Sequence, residues 1–416
     1  MTQKDGVVEW LSPRRKIIFS LSLIMVLYGF LEGGCFAALE ILDRWKGIIY
    51  EPQYLSYSLN QSKTSDRFFD DPSFHLAHDP LLGWSPKKNW VAENALDQIN
   101  SQGLRGSKEY TKDSTDDTYR ISTLGDSFTF GSEVQLSSTF QVALENMEPT
   151  WEVLNFGLPG AGLDQVYLHY KDKGKGYTSD VVMIGFFNGG MRRSVNVYRP
   201  HMNKKAGAIT KPRFILEDGE LLLIPNPFPS REHYRELRKN PCRELQRIAQ
   251  YDRFVSENRC SSMWEKLPSV RLWFVVKKQL RQKTQNTNSR KKEYLHAEFY
   301  EKDHEAYLVT TKIFEELIKD IKSTGAYPLI AIFPAHINFE QEELREGKPH
   351  ATLLEFLDEK EYDYIDFTDE FPQHVEDGTI DQFFARKKWG HYSERGNEVV
   401  AKVIRDYVHT TIPLQE

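Results

Sequence analysis

Residues 119–131, Tyr119-Arg120-Ile121-Ser122-Thr123-Leu124-Gly125-Asp126-Ser127-Phe128-Thr129-Phe130-Gly131, decide the fold. Arg120 to Leu124 reads as a short strand, and Gly-Asp-Ser follows it directly. A serine in the turn between a sheet strand and a helix stands where open α/β sheets bind their ligands. Downstream, Thr139 caps a helix through Phe140, Leu144 and Met147, and Trp151 to Phe156 reads as a second strand. A helix follows over Leu163 to Lys171. Asp180 to Phe187 is then a continuous apolar run, as a strand buried on both faces requires. The pattern resumes with a helix over Leu308–Ile321, strands at Tyr327–Phe333 and Tyr362–Phe367, and a last helix after Arg395-Gly396-Asn397. Strands alternating with helices predict a three-layer α/β domain, a parallel sheet flanked by helices. Arg213 to Pro225 differs: two apolar runs flank Asp218-Gly219, a two-residue hairpin signal that decorates the sheet.

The 416 residues suffice for one large α/β domain with insertions or for two smaller ones. A net charge of -6 argues against nucleic acid as a partner. Charge is unevenly placed. Residues 230–293 hold 17 Lys and Arg against 7 Asp and Glu, so this helical, basic insertion carries +10 and the rest of the chain -16. Such a stretch serves either as solvated helical faces or as an attraction to anionic headgroups or an acidic polymer. Of the three cysteines, Cys242 and Cys260 either pair in an oxidising compartment or remain thiols. No P-loop, Rossmann glycine fingerprint or HExxH is present, so nucleotide and zinc-protease readings have no support, and no cofactor or metal is expected.

Residues 17–39 form an apolar stretch broken only by Glu32 and preceded by Arg14-Arg15-Lys16. Its length fits a transmembrane helix, and the basic flank predicts a cytoplasmic N-terminus. A cleaved signal peptide is the alternative. The expected organisation is a cytoplasmic tail (1–16), a transmembrane helix (17–39), a juxtamembrane segment of little periodicity (40–118) and the α/β domain (119–416) with an insertion at 190–305. The bulk of the chain is then periplasmic or extracellular.

Four blocks in order carry a resemblance. Gly125-Asp126-Ser127-Phe128-Thr129-Phe130-Gly131, Asn155-Phe156-Gly157-Leu158-Pro159-Gly160, Gly185-Phe186-Phe187-Asn188 and Gly390-His391-Tyr392-Ser393 resemble the SGNH (GDSL-type) hydrolase superfamily. The anchor and Ile99-Asn100-Ser101-Gln102-Gly103-Leu104-Arg105-Gly106 resemble its membrane-anchored subgroup associated with extracellular polysaccharide. The resemblance implies the flavodoxin-like SGNH fold, Ser127 as nucleophile and His391 as base. It also implies an oxyanion hole made of the Ser127 N–H, the Gly160 N–H and the Asn188 amide. A neutral imidazole can activate a serine near pH 7, and preorganised donors stabilise the oxyanion.

The sequence departs from the family twice. Lys388 stands where an aspartate usually orients the histidine, and Asn188 is followed by Gly189 rather than Asp. Asp381 is taken as the acid, with Asp366 and Asp369 as further candidates, alongside a Ser–His dyad without an acid. The implied activity is that of a serine esterase on an acylated carbohydrate or lipid outside the cytoplasm. O-acyl transfer to an envelope polysaccharide would use the same residues. A non-catalytic saccharide-binding or assembly protein, with envelope or polysaccharide assembly proteins as partners, is the remaining class.

Overall fold

The computed structural model describes residues 13–48, 50, 55, 57, 59–115, 117–255, 258–260, 262–284, 297–339, 348–376 and 378–412. Strands β1 (Tyr119–Gly125), β2 (Trp151–Gly157), β3 (Val181–Phe187), β4 (Tyr327–Phe333) and β5 (Tyr364–Asp366) form one sheet in the order β5-β4-β3-β1-β2. Every pairing is parallel. The order reverses between β1 and β3, which makes the ends of these strands the switch point of a doubly wound sheet.

Helix α1 (Ser127–Phe130) is a single turn leaving β1, and α2 (Phe140–Met147), α3 (Leu163–Asp172), α4 (Glu305–Lys322) and α5 (Glu394–Thr411) cover the sheet. Helices α2 and α5 pack together on one face, where Phe140, Leu144, Val400 and Ile404 meet Ile121, Val153, Met183 and Phe333. On the other face α3 and α4 pack together, and Phe314 sets its ring edge-on to Phe186 at 5.4 Å. Val309, Ile313, Leu317 and Ile321 recur at every fourth position of α4 and are all buried, which is why the helical period was legible there. Thr139 caps α2 and Ser393 caps α5 through their hydroxyls, as Ser and Thr do when the first N–H groups lack intrahelical partners. The hairpin of Arg213–Glu217 and Glu220–Ile224 turns on Asp218 and Gly219, both at positive φ.

Residues 57–118 are more regular than their sequence suggests. They contain a helix, Leu59–Asp70, and two small hairpins, Leu76–Asp79 with Gly83–Pro86 and Trp90–Val91 with Gln98–Ile99. The buried face of that helix carries Gln61, Ser62 and Ser65, so its sequence has no apolar period.

A second compact unit comprises Met1–Ser56 with Glu257–Thr287. Its helix Pro13–Lys46 is long and apolar enough to cross a membrane, and none of that apolar span is buried in protein. The helix Pro268–Thr284 packs along it. Glu32, the charge interrupting the apolar run, accepts the Ser269 N–H at 3.0 Å and the Ser269 hydroxyl at 2.6 Å. Its carboxylate thereby caps the first turn of that second helix.

Among the basic residues of 230–293, Arg238 and Arg231 are paired with Asp66 and Asp70, and Arg259 with Glu265. Cys242 and Cys260 are each disulfide-bonded, and Cys35 is free.

Candidate functional site

The ends of β1, β2 and β3 place three segments side by side because Gly125 lies opposite Gly157 and Leu124 opposite Ile184. Ser127, Gly160 and Asn188 stand a few residues beyond those ends. Close approach is required here. A Cβ on Gly157 would lie 2.3 Å from the Phe130 amide nitrogen, so only glycine lets β2 run against the turn that carries Ser127. Gly160 has φ +77, which again favours glycine. Asp126 holds the turn: one carboxylate oxygen accepts the Phe128 N–H at 2.9 Å and the other accepts Arg193 at 2.6 Å.

Ser127 Oγ lies 2.8 Å from Nε2 of His391, across 264 residues of sequence. The imidazole packs against the Phe128 ring, with centroids 4.7 Å apart. Burial holds its pKa below the ordinary value of 6.5, with Asp126 and Glu133 pulling the other way. A half-buried, neutral imidazole within hydrogen-bond reach of a hydroxyl is able to accept its proton.

The carboxylate facing the far side of the imidazole is that of Glu133. Its Oε1 stands 3.4 Å from His391 Nδ1, and its Oε2 accepts the His391 backbone N–H at 3.2 Å. At 3.4 Å the Nδ1 contact is electrostatic, and Nδ1 has no hydrogen-bond partner among the described residues. Burial would raise the Glu133 carboxyl, but the Arg386 hydrogen bond at 2.7 Å and the His391 neighbour outweigh it, so Glu133 remains an anion.

Asp381, expected as the acid, is elsewhere. Its carboxylate accepts from His336 at 2.7 Å and Lys387 at 2.8 Å. His336 Nδ1 in turn accepts the Lys388 N–H at 3.2 Å, so Asp381 anchors the loop leading to His391 rather than the imidazole itself. Asp366 is engaged by Lys348 and His350, and Asp369 by Lys348. Lys388 adopts φ +64 with its side chain exposed.

The three expected oxyanion donors are free within the described residues. No hydrogen bond is formed by the Ser127 N–H, the Gly160 N–H or the Asn188 Nδ2. Asn188 is fixed by its backbone: its N–H donates to Phe333 O at 3.0 Å, and its carbonyl accepts the Tyr300 hydroxyl.

Two supports were not legible as such. Arg105, from the INSQGLRG stretch, is buried and donates to the carbonyls of Phe130 and Gly131 at 2.5 Å and of Val134 at 2.7 Å, while Asp97 holds its other edge at 3.0 Å. It clamps the backbone from Phe130 to Val134, the turn that carries Glu133. Trp84 donates its indole N–H to Pro159 O at 2.9 Å and so steadies the loop of Gly160. Glu133 itself sits six residues after Ser127, and a carboxylate close to that serine was its only sequence signal.

The fold and site define a class: a doubly wound parallel α/β protein with a Ser–His–Glu constellation at its switch point. No family model matches the chain, and no curated protein does. Solved structures similar to it include a member of the lipolytic protein G-D-S-L family from Veillonella parvula, 12% identical over 71% of this chain and 100% of that one, TM-score 0.33. The lipase/acylhydrolase from Enterococcus faecalis is 12% identical over 72% and 100%, TM-score 0.34. An acetyl xylan esterase is 13% identical over 70% and 99%, TM-score 0.33. Likeness at this level assigns no family.

Proposed function

We propose that this chain is a serine ester hydrolase of the SGNH (GDSL-type) kind, held at a membrane by its N-terminal helix, with its N-terminus in the cytoplasm and its α/β domain outside. The observation that carries this reading is the 2.8 Å contact of Ser127 Oγ with His391 Nε2 at the sheet's switch point. In this reading His391 takes the Ser127 proton as Oγ attacks the ester carbonyl. Negative charge collects on the carbonyl oxygen, facing the Ser127 N–H, the Gly160 N–H and Asn188 Nδ2. The imidazolium gives its proton to the leaving alcohol, and the acyl group stays on Ser127. Water, deprotonated by the same imidazole, then releases the free acid and restores the serine. Glu133 stabilises the imidazolium in both halves, its contact tightening as positive charge develops on Nδ1.

The oxidised Cys242 and Cys260 support a location outside the cytoplasm, since such bonds persist in oxidising compartments. The substrate class proposed is an acylated carbohydrate or lipid at the cell envelope. The test is covalent labelling of the full chain with a fluorophosphonate, mapped by mass spectrometry. Modification at Ser127 that disappears in His391→Ala is the expected result; an unmodified Ser127 in folded protein would rule the reading out.

A further inference from the structure

Beside Gly160 lies a concentration of positive charge that the reaction above does not use. Arg192, Arg193 and Arg199 come from the segment that follows β3 and Asn188. Arg193 is engaged by Asp126 at 2.6 Å and by the Ala161 carbonyl at 2.9 Å. The other two guanidinium groups hydrogen-bond no group among the described residues. Nε of Arg192 and Nη1 of Arg199 are fully buried without an acceptor. Arg199 lies over the Trp84 ring at 5.6 Å, and its Nη2 is 3.5 Å from where a Cβ on Gly160 would stand. Its fork is thus in contact distance of a residue that offers an oxyanion donor.

Little neutralises this cluster. Asp164 acts on Arg199 at longer range, but its own carboxylate is taken by the buried Lys211. Glu298 acts on Arg192, also without a hydrogen bond to it. Burial, with help from Arg193 and Arg192, pushes Arg199 down to about 9, and burial, with Arg193, pushes Arg192 down to about 10. Both remain cations at neutral pH. Buried donors are almost always satisfied, and a guanidinium fork matches the two oxygens of a carboxylate.

We propose that Arg192, Arg193 and Arg199 form an anion-binding subsite next to the candidate oxyanion hole, and that the ester cleaved here carries a carboxylate close to its scissile bond. The proposal rests on the ester-hydrolase reading for its chemistry but not for its binding. The carboxylate belongs either to the acyl group, as in a dicarboxylic monoester, or to the alcohol, as in an acylated uronic acid.

The test compares kcat/KM within two ester pairs on the full chain: nitrophenyl succinate against nitrophenyl acetate, and O-acetylated methyl glucuronoside against O-acetylated methyl glucoside. A preference of about tenfold or more for the charged member of one pair is expected, shrinking toward unity in Arg199→Gln and partly retained in Arg199→Lys. Which pair shows it locates the carboxylate. Equal rates within both pairs would overturn the subsite and leave the ester chemistry standing. Should no ester turn over, succinate and glucuronate are titrated directly. Saturable, salt-sensitive binding abolished by Arg199→Gln would keep the subsite without the hydrolase, and no binding would overturn it.

Discussion

Replacing Glu133 with glutamine tests the least expected member of the site. The change removes a charge 3.4 Å from His391 Nδ1 while leaving an oxygen able to accept the His391 backbone N–H. A full charge pair at that distance is worth about 5 kcal/mol at an effective dielectric of about 20, and about 1 kcal/mol in bulk water. The Glu133 side chain is 27% exposed and that of His391 18%, and Arg386 binds the same carboxylate oxygen. The loss of imidazolium stabilisation therefore falls between these limits, about 2–3 kcal/mol, or about 30- to 160-fold in rate. The second-order rate of fluorophosphonate labelling at Ser127 reads this without knowledge of the natural ester. A pH profile adds an independent sign. Glu133 raises the His391 pKa, so Glu133→Gln moves the acid limb of the labelling rate to lower pH. Asp381→Asn is the comparison, with a loss below about threefold, because that carboxylate is 42% exposed and its partners are His336 and Lys387. A Glu133→Gln rate within about threefold of the parent, with an unmoved acid limb, would refute the role assigned to Glu133.

Arg105→Ala leaves the Val134 carbonyl and the Asp97 carboxylate without their donor, while the Phe130 carbonyl keeps Asn155 at 3.3 Å and the Gly131 carbonyl keeps the Val134 N–H at 3.4 Å; it is expected to destabilise the α/β unit by about 2–3 kcal/mol, seen as a lowered thermal midpoint. Gly157→Ala forces a Cβ onto the Phe130 amide; a loss of about 4 kcal/mol or more, or failure to fold, is expected by denaturant titration. Acid stability should follow Asp366. Burial would raise its carboxyl, but His350, Lys348 and the Thr368 N–H outweigh this and hold it well below the ordinary 3.8. Its stabilising contribution is therefore complete above about pH 4 and is lost as pH falls further, so Asp366→Asn should flatten the decline of the thermal midpoint below that pH.

The elements with strong patterns were read directly from the chain. The run from Val181 to Phe187, the fourfold stripe of α4 and the cap at Thr139 follow from local rules that tertiary context did not overturn. The placement of Ser127, Gly160 and Asn188 at neighbouring strand ends was legible for the same reason, since each follows closely on a strand whose extent was apparent. Pairing of distant carboxylates was not legible. Asp381 is ten residues from His391 in sequence yet bonded to His336, while Glu133, 258 residues away, faces the imidazole. Sequence determined the alternation of strands and helices, the apolar N-terminal helix and the turn of Gly125, Asp126 and Ser127, because these depend on contacts within one segment. Only the tertiary structure decided the acid beside His391, the clamp of Arg105 and the partner of Glu32, because charged side chains find their partners by where loops land.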